Sequence, residues 1–260
     1  MRIVKYPRTQ HIEGSRLQQG DHDLESVPFR RLHGRHLVVE EKLDGANAAF
    51  RFDAEGRIHL QSRGHFLIGG HRERHFDLFK RWATAKAPDL WPVLRDRFVV
   101  YGEWMYAKHT VYYDSLPHYF LEFDVLDLQE DRFLSTPARR RLLGGLPIAS
   151  VPVMHSGAAG SLRQLTDLLG RSHFKGPDWR DRLVATAASL DLDVDLARRE
   201  TDPSDEMEGL YLKVESEDRV LERYKFVRAS FLSAVVDSGT HWLQRPIVPN
   251  RLAEGVDIWS

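Results

Sequence analysis

The stretch VVEEKLDGANAAF, residues 38–50, sets a lysine into a run that otherwise reads as buried strand. Val38 and Val39 are β-branched and apolar, and Ala46 to Phe50 resumes an apolar run. Glu40, Glu41, Lys42 and Asp44 stand between them, closed by Gly45. An ammonium in a half-buried strand must be solvated, paired or deprotonated, because desolvating the charged form is costly. Breaks of this kind in local consistency concentrate at functional sites.

On either side of Lys42 the chain gives strands first and helices later. HLVVEEKL, ANAAFRFD and RIHLQSR predict three consecutive strands, with AEG at 54–56 as the turn between the last two. HFDLFKRWATAKA, His75 to Ala87, has helical spacing and is expected to stop at Pro88. RFVVYGEWM and HYFLEFDVLDLQ are β-prone. From Ser135 to Asp205 the texture becomes helical: STPARRRLLGGL opens as a helix start, GSLRQLTDLLGRS predicts a short helix, and WRDRLVATAASLDLDVDLARRE a longer one. The β texture returns in EGLYLKVE and RVLERYKFVR. These patterns predict a single α+β domain over residues 1–260, with a mainly helical insert at about 135–205, rather than alternating βαβ units.

At 260 residues the chain is long enough for one large core. No apolar run approaches the roughly 18 residues that span a bilayer, and the N-terminus, MRIVKYPRTQHIEG, lacks a signal-peptide core. The absence of cysteine excludes disulfides and thiolate metal sites, and a cytoplasmic location with no membrane association is expected. With 37 basic against 38 acidic residues, bulk charge does not mark a non-specific nucleic-acid binder. The basic residues nevertheless cluster, at Arg30, Arg31, Arg35 and His36, at Arg72, Arg74, Lys80 and Arg81, and at Arg139, Arg140 and Arg141. Solvated faces and the flanks of a polyanion-binding cleft are both compatible with that pattern.

Four polar islands interrupt apolar strands: EKLDGAN at 41–47, YGEW at 101–104, EGLYLK at 208–213 and RYKFVR at 223–228, with FLEFD at 120–124 between the second and third. Singly, each is compatible with a hairpin end, a snorkelling lysine or a guarded edge strand. Their order resembles that of the covalent nucleotidyltransferases, the superfamily of polynucleotide ligases and mRNA capping enzymes. Its signature is Lys-x-Asp-Gly, Gly-Glu, an aromatic-bearing strand, Glu-Gly-hydrophobic-Lys, then a basic strand. Here these are Lys42-Leu43-Asp44-Gly45, Gly102-Glu103, Phe123, Glu208-Gly209 with Lys213, and Arg223 with Lys225. Asn47 and the Arg-x-Lys strand are most similar to the phage-type RNA ligases that seal breaks in duplexed or structured RNA.

The resemblance implies an adenylyltransferase domain of antiparallel sheets flanked by helices, here without a C-terminal OB-fold. It implies an ATP-dependent RNA ligase that uses Mg²⁺ or Mn²⁺ and joins 3′-OH and 5′-phosphate RNA ends in RNA repair. The reaction would pass through a lysyl-adenylate on Lys42 and an RNA-adenylate. By the same transfer Phe123 would stack on adenine, Glu103 would hold the ribose, and Arg63 would contact the ribose or the RNA end. Asn47 would position the RNA ends, Lys213 would engage a phosphate, and Arg223 and Lys225 would face the α-phosphate. Glu208 would bind the metal through its water shell, with Asp44 either assisting it or ordering the turn, and Glu41 is placed among the nucleotide-binding residues. An unperturbed lysine is neutral in only about one molecule in two thousand at pH 7, so a depressed Lys42 pKa is expected. RNA is the expected partner, together with an end-healing polynucleotide kinase or phosphatase.

The same first step serves a DNA ligase or a capping-type guanylyltransferase, and a dead scaffold would bind nucleotide or RNA ends without chemistry. HRERH at 71–75, with His71, Glu73 and His75, offers a zinc-like spacing without a third ligand, and Gly69-Gly70 and Gly144-Gly145 read as turns.

Overall fold

β-Branched and aromatic residues dominate the strands, and their alternation decides which side of each strand meets which neighbour. The computed structural model of the protein describes residues 1–16, 26–231 and 246–260. In chain order the strands are β1 (Gln10–Ile12), β2 (Ser26–Val27), β3 (His36–Lys42), β4 (Ala46–Phe52), β5 (Ile58–Ser62), β6 (Phe98–Trp104), β7 (Phe120–Asp127), β8 (Arg132–Phe133), β9 (Ala149–Ser150), β10 (Val153–Ala158), β11 (Gly209–Glu215) and β12 (Val220–Val227). The helices are α1 (Asp77–Leu94), α2 (Thr136–Leu143), α3 (Leu162–Thr166), α4 (Trp179–Ser189) and α5 (Val194–Arg199).

One sheet has the order β10-β3-β11-β12-β1-β2; the other has β5-β4-β6-β7-β8, with β9 on β7. β3 lies in the first sheet and β4 in the second, so Leu43-Asp44-Gly45 is a crossover between sheets rather than a hairpin end. One face of the first sheet buries Leu37, Val39, Leu210, Leu212, Val214 and Phe226 in an apolar core. The second sheet packs Phe50, Val100 and Phe120 against Phe79, Trp82, Ala83, Leu90 and Leu94 of α1. At roughly 1.5–3 kcal/mol for each fully buried large apolar side chain, these two cores hold the outer layers.

Between the sheets lies a layer of buried ions. Lys213 Nζ is 2.9 Å from Glu40 and 3.6 Å from Asp124. Arg139 of α2 bridges Glu40 on β3 and Glu122 on β7, the latter at 2.5 Å. Arg139 is therefore no member of a solvated cluster: it is wholly buried, while Arg140 and Arg141 are exposed.

Two expectations change. The helix from His75 does not stop at Pro88 but runs to Leu94 through Pro88 and Pro92. Both prolines lie on the exposed side, where water can take the carbonyls they leave unbonded, while Leu90 and Leu94 continue the buried stripe. The long helix from Trp179 breaks in two at Leu190–Asp193, where Asp191 has a φ of 55° and the Asp193 side chain accepts the Leu196 N–H to start α5. Within residues 135–205, α2 to α5 are accompanied by β9 and β10, and β10 pairs antiparallel with β3.

Candidate active site

The register of the first sheet gathers the polar islands. Gly209 pairs with Lys42, Tyr211 with Glu40 and Lys213 with Val38; across β12, Lys225 pairs with Tyr211 and Arg223 with Lys213. Residues directly opposite share a face, so Lys42, Lys213, Arg223 and Lys225 all face the second sheet. There Asn47 pairs with Glu103. Two motif glycines are required by crowding. A Cβ on Gly209 would lie 1.9 Å from the Phe226 carbonyl oxygen, and one on Gly45 2.7 Å from Met105 Sδ and 2.9 Å from the Trp104 carbonyl.

Lys42 Nζ donates to Glu208 Oε1 at 2.6 Å. Burial alone would lower the lysine pKa, but Glu208, in contact, and Glu103 and Asp44 nearby outweigh it and the net shift is upward. The expected depression is therefore not a property of the protein by itself. Burial pushes Glu103 up to about 8, against the attraction of Lys42 and a hydrogen bond from the Gly45 N–H. Asp44 is also raised by burial. Its Oδ2 accepts the Thr110 and Val111 N–H groups, both at 2.7 Å, so it orders the turn.

Three carboxyl groups thus surround one ammonium, with burial favouring the neutral forms of Glu103 and Asp44. Among the described residues no three His, Asp or Glu side chains converge as a complete ligand set. In HRERH, Glu73 accepts the Gly69 N–H at 2.9 Å and pairs with Lys80 at 2.8 Å, and the His71 side chain lies outside the described residues.

Phe123 is the extra residue of a β-bulge, since Tyr101 pairs with Asp124 and Gly102 with Glu122; bulges re-aim side chains. Its half-buried ring lies 5.1 Å from Tyr6 and 6.2 Å from Tyr211. Arg223 is held by Asp124 and the Tyr6 hydroxyl, both at 2.9 Å, with its guanidinium 3.9 Å from the Phe133 ring. Lys213 is fully buried, and its Nζ also donates to the Phe123 carbonyl oxygen. Arg63 is exposed just beyond β5, whose last residue, Ser62, pairs with Ala48.

Glu41 is not in the cleft. It points to the opposite face of β3, where it accepts from Ser172 Oγ at 2.5 Å and from the His173 N–H at 3.0 Å. Both faces of β3 are buried, so its neighbour's position decided nothing about its own. Tyr6 and Tyr113 escaped the sequence reading, which gave Glu40 and Arg139 no partner. The available signal was that Glu40, Glu122 and Asp124 are charges inside apolar strands, each needing a buried cation.

A family model described as RNA ligase matches residues 35–227. No curated protein matches. Among solved structures, a variant of Naegleria gruberi RNA ligase with ATP and Mn is similar with a TM-score of 0.53 at 14% identity, covering 80% of this chain and 54% of that one. Another variant with AMP and Mn gives 0.54 at 14% identity, covering 90% and 59%. At such identities the likeness shows the fold. The chain spans between half and two thirds of the length of those proteins.

Proposed function

Because the chain belongs to the RNA ligase family, we propose that it is an ATP-dependent RNA ligase that seals RNA 3′-OH and 5′-phosphate ends during repair. The observation that carries this reading is Lys42 at the crossover between the sheets, opposite Gly209 and 2.6 Å from Glu208. In the first step the neutral Lys42 amine attacks the α-phosphorus of ATP: an N–P bond forms, the bond to the bridging oxygen breaks, and pyrophosphate leaves. The adenylyl group then passes to the RNA 5′-phosphate and frees the lysine. Finally the 3′-OH attacks the RNA-adenylate, with AMP as leaving group.

The two Naegleria structures contain Mn with ATP or AMP, and the acidic wall here suits Mn²⁺ or Mg²⁺. Bound beside Glu208, such a cation would supply positive charge against the carboxylates and phosphates. Lys42 needs that charge, since the carboxylates hold it protonated. Phe123, projected by its bulge, offers a stacking face for adenine, and Glu103 an acceptor for the ribose hydroxyls. Lys225 lies two pairs along the sheet from the Gly209 row, on the same face, and offers positive charge to the α-phosphate. Arg223 and Lys213, both engaged with Asp124, support the cleft wall.

Incubation with Mg²⁺ and ATP should add one adenylyl group by intact mass, with no adduct from GTP or NAD⁺, and Lys42→Ala should abolish it. A guanylyl adduct would favour a capping-type enzyme, and a labelled alanine variant would remove Lys42 as nucleophile.

A further inference from the structure

Residues 105–116, MYAKHTVYYDSL, form no regular helix or strand, yet all but Tyr106 and Ser115 are buried. A buried irregular segment must find partners for its backbone N–H and C=O groups elsewhere. Residues 246–253 supply many. The Asn250 N–H donates to the Tyr106 carbonyl at 2.8 Å, the Arg251 N–H to the Tyr113 carbonyl at 2.9 Å, and the Leu116 N–H to the Arg251 carbonyl at 3.0 Å. The Asn250 side chain, 1% exposed, completes the seam. Its Oδ1 accepts the Tyr113 N–H at 2.9 Å and its Nδ2 donates to the Met105 carbonyl at 2.7 Å.

The same buried segment grips the crossover that follows Lys42. Thr110 and Val111 donate to Asp44 Oδ2, and the Tyr113 hydroxyl accepts the Asp44 N–H at 2.9 Å. One residue, Tyr113, thus joins the two contacts: its backbone is held by Asn250 and Arg251, and its hydroxyl holds the turn.

We propose that Tyr113 and Asn250 are positioning residues for the nucleophile, with residues 246–253 fixing the buried segment and Tyr113 transmitting that placement to the Lys42 turn. This rests on the ligase reading. The turn begins one residue after Lys42, so a small rotation there re-aims Nζ, and a displacement of about 1 Å can slow a reaction roughly a hundredfold. Lys42 is a reacting group when lysyl-adenylate forms and breaks, but not when a 3′-OH attacks an RNA-adenylate made beforehand. Tyr113→Phe keeps the ring and removes only the acceptor.

Tyr113→Phe should therefore slow self-adenylylation at saturating ATP by about tenfold or more, with the KM for ATP unchanged. It should seal pre-adenylylated nicked RNA at close to the wild-type rate. Asn250→Ala, which touches neither Lys42 nor Asp44, should act in the same direction. Wild-type adenylylation by both variants overturns the proposal, and so does a parallel fall in adenylylation and sealing or a rise in KM, either of which marks general loosening. If the wild type adenylylates but does not seal, the split between rate and KM decides. A wild type that forms no lysyl-adenylate would instead overturn the ligase reading itself.

Discussion

At Lys42 the protein holds a protonated amine among carboxylates, and Glu103 carries the clearest consequence. Its pKa, pushed up to about 8 chiefly by burial, lies above that of an unfolded carboxyl group. A folded-state pKa raised in this way contributes stability that is complete below the unfolded value, near 4.3, and is lost as pH rises through about 8. The protein without divalent cation should therefore lose stability across that window. Glu103→Gln removes the ionisation, so its melting temperature should exceed the wild-type value by several degrees at pH 8.5, at about 2–4 °C per kcal/mol for a chain of this size. The gap should close near pH 5. A difference independent of pH would show that Glu103 does not ionise in this window. The sequence pointed to Lys42, Glu103 and Glu208 because each is a charge in a polar island of a β-prone run, and the order of those islands resembles that of the covalent nucleotidyltransferases. It did not show that Asp44 is taken up by the Thr110 and Val111 N–H groups, because a loop contact 66 residues away leaves no local pattern.

Among the elements, α2 has the most to lose from a single substitution. Arg139 enters the layer between the sheets and meets Glu40 and Glu122, all three wholly buried. Removing one partner from such a group leaves uncompensated buried charge and costs about 3–5 kcal/mol, whereas replacing all partners is often neutral. Arg139→Met should be destabilised by that amount in urea unfolding, and adding Glu122→Gln should recover part of it, since Glu40 keeps Lys213 as its cation. A loss below about 1 kcal/mol, the range of an exposed pair, would show that these ions are solvated. STPARRRLL was legible as a helix start, but periodicity did not say which arginine turns inward. The prolines of α1 misled for a related reason: a missing N–H ends a helix only where the orphaned carbonyl cannot reach water, and that exposure is tertiary information.

Over the whole molecule, the cleft between the sheets has a buried wall at Lys42 and an open edge beyond β4 and β5. Glu208 is buried beside Lys42, whereas Arg63 is exposed and Asn47 half-buried across from Glu103. A residue lowers only the barriers of steps in which it meets developing charge. Glu208→Ala and Lys225→Ala should then abolish lysyl-adenylate formation. Arg63→Ala and Asn47→Ala should slow sealing of pre-adenylylated nicked RNA by at least about tenfold while changing self-adenylylation by less than about threefold. Wild-type sealing by the last two would take them away from the RNA ends. The sequence by itself determined the α+β class, the main strands and the order of the motifs, because alternation, turn residues and glycines act within a few positions of each other. Only the tertiary structure decided that KLDG is a crossover, that Glu40 faces the cleft while Glu41 faces away, and that Lys213 is enclosed by Glu40 and Asp124. β3 is buried on both faces, so alternation could not distinguish them; pairing with β11 and the ions of β7 and α2, distant in sequence, made that choice.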